Sequence, residues 1–294
     1  MIYNNYLESE RRKTIIGLFK KHPKRKSALV FVDFEHWYVS MYRKYSMRPR
    51  LKEWRDDLAK DFDIREILFF GDFSNPGMKH EIPRIRTITN LIIETQNTSP
   101  HHKKDFTDFI MLDYIYQEAI SSPDVDTFII FTGDGHFSSV VKFLCDKCKK
   151  QVIIYAVKEG LSGMLRSVAS ECYELPSEED IRNTYYSMIN DRIKEITLPD
   201  PVTGKRKYAL FNNVSKEVAD IYKMPLEDVR GIMEEMTEKG YLKSEYRYVS
   251  YNRRLKTVVI DEKAIENDGI TLTDNKDYFV IPKNNDKNSD KGKK

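Results

Sequence analysis

Cysteine is scarce: three residues in 294, an odd number. That leaves no room for a disulfide framework and makes a reducing cytoplasm the expected compartment. No apolar run approaches the roughly 20 residues a membrane-spanning helix needs, so no membrane partner is expected. The opening stretch MIYNNYLESERRKTIIGLFKKHPKRKS lacks an apolar core before a small-residue cleavage site, which argues against a secretory leader. Neither G-x-x-x-x-G-K-[ST] nor G-x-G-x-x-G occurs, which removes the common nucleotide cradles. Cys145 and Cys148 have C-x-x-C spacing, but Cys172 is the sole remaining thiol, so a four-thiolate zinc site is excluded.

Apolar residues are abundant, at 40%, which permits a packed core and excludes global disorder. The formal charge of +3 conceals an uneven distribution. Residues 1–27 carry +6, residues 28–204 carry −6 and residues 283–294 carry +3. An acidic body with basic arms suits a polyanionic partner whose backbone is held outside an acidic centre. Lysine-rich termini that serve solubility give the same pattern.

The first 176 residues alternate strand with helix. Strands are expected at 28–34 (ALVFVDF), 64–73 (IREILFFGDF), 90–95 (NLIIET), 126–133 (DTFIIFTG) and 151–157 (QVIIYAV). Helical pattern runs from the first strand through Leu58, from about Met78, over 104–120 and over 136–150. Residues 162–175 read as a helix and a short last strand. This alternation predicts a mostly parallel sheet with ligands beyond the carboxyl ends of its strands. Beyond Pro176 the pattern changes. Residues 177–196 read as one helix with a serine cap, and LPDPVTGKRK as a proline- and glycine-marked connection. Residues 214–242 read as helix-turn-helix and 243–261 as a basic hairpin, which together resemble a winged helix. The lysine-rich end, 283–294, is too poor in hydrophobic residues to pack.

Three expected strands end in an acid: Asp33, Asp72 and Asp134. In a parallel sheet all three emerge at one edge. The helix KKDFTDFIMLDY adds Asp105 and Asp108 on one face and Asp113 further round. Carboxylates gathered in one cleft repel one another unless a cation compensates, and hard oxygen ligands select Mg²⁺ or Mn²⁺. A plainer reading is that each aspartate caps the helix after it. His136 lines the same loop, as a helix-capping residue or as a ligand for Mn²⁺.

The motifs VDFEHWY, FFGDF, KKDFTDFIMLD and FTGDGHF, in this order and spacing, resemble the NYN branch of the PIN-like nuclease superfamily. The resemblance covers residues 28–175 and implies a Rossmann-like α/β fold and RNA cleavage supported by Mg²⁺ or Mn²⁺. By position it makes Asp33, Asp108 and Asp134 the core metal ligands, with Asp72 and Asp113 as nearby candidates and Asp105 as the alternative to Asp108. His36 stands where the first motif commonly has asparagine, and His136 where the fourth often has a second acid. Those departures keep a second reading open: a nucleic-acid-binding regulator with weak or no catalysis.

Five segments are therefore expected: a basic arm (1–27), the NYN-like domain (28–176), a linker helix and loop (177–204), a winged-helix-like α+β domain (205–262) and an extension (263–294). Catalysis is expected from Asp33, Asp108, Asp134 and Asp72, and metal ligation from Asp33, Asp108, Asp134, Asp113 and His136. Candidate RNA contacts are Lys79, Arg84, Arg86, Lys103, Lys104, Arg253 and Arg254, with His101 and His102 beside them; a solvated basic loop explains the 99–104 stretch equally well. In residues 42–55 aromatics interleave with six basic residues, so Tyr42, Tyr45 or Trp54 is either a base-stacking residue or core. The second helix of the C-terminal module is too acidic to suit the major groove, whereas the hairpin with Arg247, Arg253, Arg254 and Lys256 suits nucleic acid better. A protein partner, or a second copy of the chain, is the alternative occupant of that module.

Overall fold

The computed structural model describes residues 25–95, 106–250, 253–270 and 272. The basic arm before residue 25, the stretch with His101, His102, Lys103, Lys104 and Asp105, and the lysine-rich end lie outside them.

Six strands form one sheet: β1 (Lys26–Asp33), β2 (Phe62–Gly71), β3 (Ile92–Glu94), β4 (Thr127–Phe131), β5 (Gln151–Val157) and β6 (Glu171–Leu175). Their order is β3-β2-β1-β4-β5-β6 and every neighbouring pair is parallel. The continuous apolar runs VFV and FIIF fit this position, because β1 and β4 are central and covered on both faces.

Alternation along the strands divides the core in two. Val30, Val32, Ile129 and Phe131 face one layer with Trp37 and Trp54. Leu29, Phe31, Phe128 and Ile130 face the other with Met111, Ile115 and Val140. Trp37 stacks on Phe131 at 4.0 Å between centroids and meets Trp54 edge-on at 5.0 Å. Each such ring contributes about 1.5–3 kcal/mol by leaving water. Trp54 is therefore core, which removes it from the candidate base-stacking residues.

The helices are α1 (Phe34–Tyr45), α2 (Leu51–Asp61), the one-turn α3 (Pro76–Lys79) and α4 (Ile82–Ile85), α5 (Phe106–Ser121), α6 (Ser138–Asp146) and α7 (Gly163–Val168). The helical pattern expected through Leu58 breaks at Ser46, which is left-handed (φ 53°), and Pro49 then disfavours helix at Arg48. The helix expected from Met78 is two short turns, each with a proline in its first turn. Glu81, between them, is fully buried and ion-paired to Arg48 (3.2 Å) and Arg84 (2.6 Å).

A second apolar cluster follows, built on α8 (Glu178–Thr197), α9 (Phe211–Tyr222), α10 (Leu226–Glu238), β7 (Leu242–Ser250) and β8 (Arg253–Ile260). Ser177 and Asp180 form a reciprocal capping box at the start of α8. Although α8 was expected as a linker, its Tyr186, Met188, Ile189 and Ile193 belong to this second core. So does Ile265 of α11 (Glu262–Asn267), a helix within the stretch expected as an extension. Arg50 ties the two parts together through Asp180 (3.0 Å) and Thr184 (3.2 Å), and Ser46 Oγ donates to the carbonyl of Tyr222.

Candidate metal centre

The strand order reverses between β1 and β4, the position where open parallel sheets bind ligands. Asp33 is the last residue of β1, and Asp134 lies three residues past the end of β4. Each is also a cap. Asp33 Oδ1 accepts the N–H of His36 at 2.9 Å, and Asp134 Oδ1 accepts the N–H of His136 at 2.9 Å. Capping and site-building thus coincide: the cap bond engages Oδ1 of each acid, and the second oxygen takes no part in it.

Gly133 explains why the acid sits between glycines. A Cβ there would lie 2.2 Å from the carbonyl oxygen of Gly160 and 2.9 Å from His36 Nε2. Only a bare backbone lets the loop after β4 meet the loop after β5, and Ser162 N–H donates to the Gly133 carbonyl at 3.0 Å.

Asp108, in the first turn of α5, joins Asp134 and His136 in a group whose donor atoms all lie within 4.8 Å of one another. His136 Nδ1 is 3.3 Å from Asp134 Oδ1. Asp33 is outside that trio but beside it. Burial drives its carboxyl up to about 8; the capping N–H of His36 opposes this, while Asp108, Glu35 and Asp134 add to it. A buried acid facing three other acids is the field a divalent cation relieves. Two carboxylates with one imidazole form a donor set that fits Mn²⁺ well and Mg²⁺ through its oxygens.

The other expected residues are placed differently. Asp72 Oδ1 accepts from Ser74 N–H at 3.0 Å, an Asx turn, and its own backbone N–H donates to Glu35. Glu35, whose carboxyl is raised by burial and then by Asp72, escaped sequence reasoning; its place two residues after Asp33 was the available signal. Asp113 is exposed on α5 and accepts from Gln117 at 2.7 Å, so it stands apart from the trio. Burial holds His36 below the usual imidazole range against the pull of Asp134, and its Nε2 is buried without a hydrogen-bond partner.

Among the candidate RNA contacts, Lys79 and Arg86 are exposed. Arg84 is committed within the fold to Glu81 and to the Pro49 carbonyl at 2.9 Å. Arg254 is exposed, and the side chain of Arg253 lies outside the described residues.

Acids thus converge at the switch point of a parallel α/β sheet. The sequence profile of the NYN domain matches residues 27–176. The chain belongs to the NYN domain family, whose members are generally nucleases. The structure is also similar to the crystal structure of a protein of unknown function from Vibrio parahaemolyticus, at 18% identity and a TM-score of 0.48, over 53% of this chain and 97% of that one. No curated protein matches the chain significantly. No described helix is long and apolar enough to cross a membrane.

Proposed function

We propose that this protein is a metal-dependent endoribonuclease that hydrolyses phosphodiesters at the centre formed by Asp108, Asp134 and His136, with Asp33 beside it. The observation that carries the reading is the convergence of these donor atoms within 4.8 Å at the point where strand order reverses. A divalent ion there would acidify a water and offset the charge of the phosphate. Asp108 and Asp134 hold the charge-compensating position, Asp134 fixed by its cap bond and Asp108 by the first turn of α5. Asp33, buried with its carboxyl raised, lies beside the pair and adds to the charge the ion would offset. Asp72 and Glu35 brace the adjoining loop rather than the reacting atoms. Lys79 and Arg86, free of salt bridges among the described residues, are suited to the RNA backbone. We place the protein in the cytoplasm and read residues 205–262 as a winged-helix-like module appended to the nuclease domain.

The test is cleavage of a mixed RNA pool with Mn²⁺ or Mg²⁺. Asp134→Asn and Asp108→Asn should each abolish turnover while the circular dichroism spectrum stays that of the parent. Turnover that survives both substitutions would remove the mechanism.

One observation favours a second reading. The trio holds only two carboxylates, with a largely exposed imidazole as its third donor, so one ion position is weaker than an all-acid site would make it. In that case the protein binds nucleic acid and regulates without efficient chemistry. Tight RNA binding with no turnover under any divalent ion would support it.

A further inference from the structure

The two faces of the β7–β8 hairpin differ in a way that stability does not require. On one face the cations are matched: Lys243 pairs with Asp261 at 2.6 Å, and Arg247 pairs with Glu245 at 3.2 Å and lies over Tyr208. On the other face the register sets Tyr246 opposite Lys256 and Tyr248 opposite Arg254. The base of that face, Leu242 and Val258, is buried in the second core, and its outer half projects beyond it. Tyr246 remains 62% exposed and Tyr248 72%. Arg254 lies over both rings, at 5.0 and 5.5 Å from their centroids, and Lys256 lies over Phe211 at 4.2 Å. Neither Arg254 nor Lys256 makes a salt bridge among the described residues, and no residue on this face of the hairpin is acidic.

We propose that this face is a docking platform for single-stranded RNA, in which Tyr246 and Tyr248 stack bases and Arg254 and Lys256 neutralise backbone phosphates. Two residues apart on one strand, the rings are roughly 7 Å from each other, room for one base on each when the strand is unstacked. Stacking needs exposed base faces, which a duplex hides except at its ends. The two unmatched cations supply the complement to a polyanion. The platform depends on the ribonuclease reading only for the choice of RNA as the strand.

Binding is measured on the full chain carrying Asp134→Asn, so that chemistry does not consume the probe, a fluorescein-labelled oligouridylate of about 12 nucleotides. Tyr246→Ala and Tyr248→Ala should each weaken binding by roughly 5- to 150-fold, whereas Tyr→Phe at either position retains it. Arg254→Gln should lower the slope of log affinity against log salt by about 0.7. Duplex RNA of equal length should bind more weakly and ignore the tyrosines. Should an alanine variant fail to fold, the salt slope of Arg254→Gln carries the test. The platform is overturned if the alanine variants bind like the parent, if duplex suffers the same loss, or if polyglutamate competes through the same tyrosines. Cleavage by the Asp134-intact protein with tyrosine-independent binding would remove the platform and leave the nuclease reading; tyrosine-dependent binding with no cleavage under any ion would do the reverse.

Discussion

Asp134 Oδ1 meets His136 twice: it accepts the backbone N–H at 2.9 Å and lies 3.3 Å from the ring Nδ1. One oxygen therefore sets both the start of the short helical turn over Gly135–Phe137 and the position of the imidazole beside Asp108. A change of charge at this residue can be separated from a change of shape.

Asp134→Asn should do so. Asparagine is as good a cap as aspartate, and its carbonyl oxygen can accept the same N–H. The midpoint of thermal unfolding without metal should stay at or above that of the parent, while divalent-ion affinity falls at least roughly tenfold. A large drop in the midpoint would mean that the charge itself holds the loop.

The pH dependence of stability isolates Asp33. Its folded value of about 8 lies above the ordinary 3.8, so it favours the folded state while protonated. That contribution is fully present below 3.8 and is lost as pH rises towards 8, on the order of a few kcal/mol in the metal-free protein. Denaturant titrations should show stability falling across this window, and saturating Mn²⁺ restoring part of it. Asp33→Asn keeps an acceptor for His36 N–H, flattens the fall and is more stable than the parent at neutral pH without metal.

Gly133→Ala tests the contact between the loops after β4 and β5. The added methyl would sit 2.2 Å from the Gly160 carbonyl, a backbone atom that cannot rotate away. We expect a loss of roughly 1–3 kcal/mol or more, read by chemical denaturation. A neutral result would show that the two loops are not held together.

Arg84 and Lys79 separate structure from contact. Arg84→Ala breaks a pair with the fully buried Glu81 and should cost up to roughly 3 kcal/mol, because among the described residues the carboxylate then keeps a single ion pair, with Arg48. Lys79→Ala should leave stability within about 0.5 kcal/mol, as expected for an exposed residue, and reduce RNA affinity alone.

The sheet was legible because parallel strands buried on both faces read as uninterrupted apolar runs, and VFV and FIIF are such runs. Asp33 and Asp134 were legible for a related reason: a charge directly after a buried run marks a strand end. The edge elements were not. Residues 76–85 carry a helical pattern that Pro76, Pro83 and the inward turn of Glu81 divide into two turns, and periodicity cannot show that a glutamate faces the core. Asp113 shares a helix with Asp108, but five residues rotate it about 140° away, so sequence proximity overstated its place in the site. Glu35 was hidden because its role depends on Asp72, nearly forty positions away and adjacent only after β1 and β2 pair. The tyrosines of the β7–β8 hairpin were passed over because alternation alone does not reveal which half of a strand projects past its core.

The most direct measurement is a calorimetric titration of Mn²⁺ into the metal-free protein at neutral pH, repeated on Asp108→Asn and Asp134→Asn. The account predicts saturable binding to the parent and a loss of at least roughly tenfold in affinity for each variant. No binding to the parent, or equal binding to all three proteins, would contradict it.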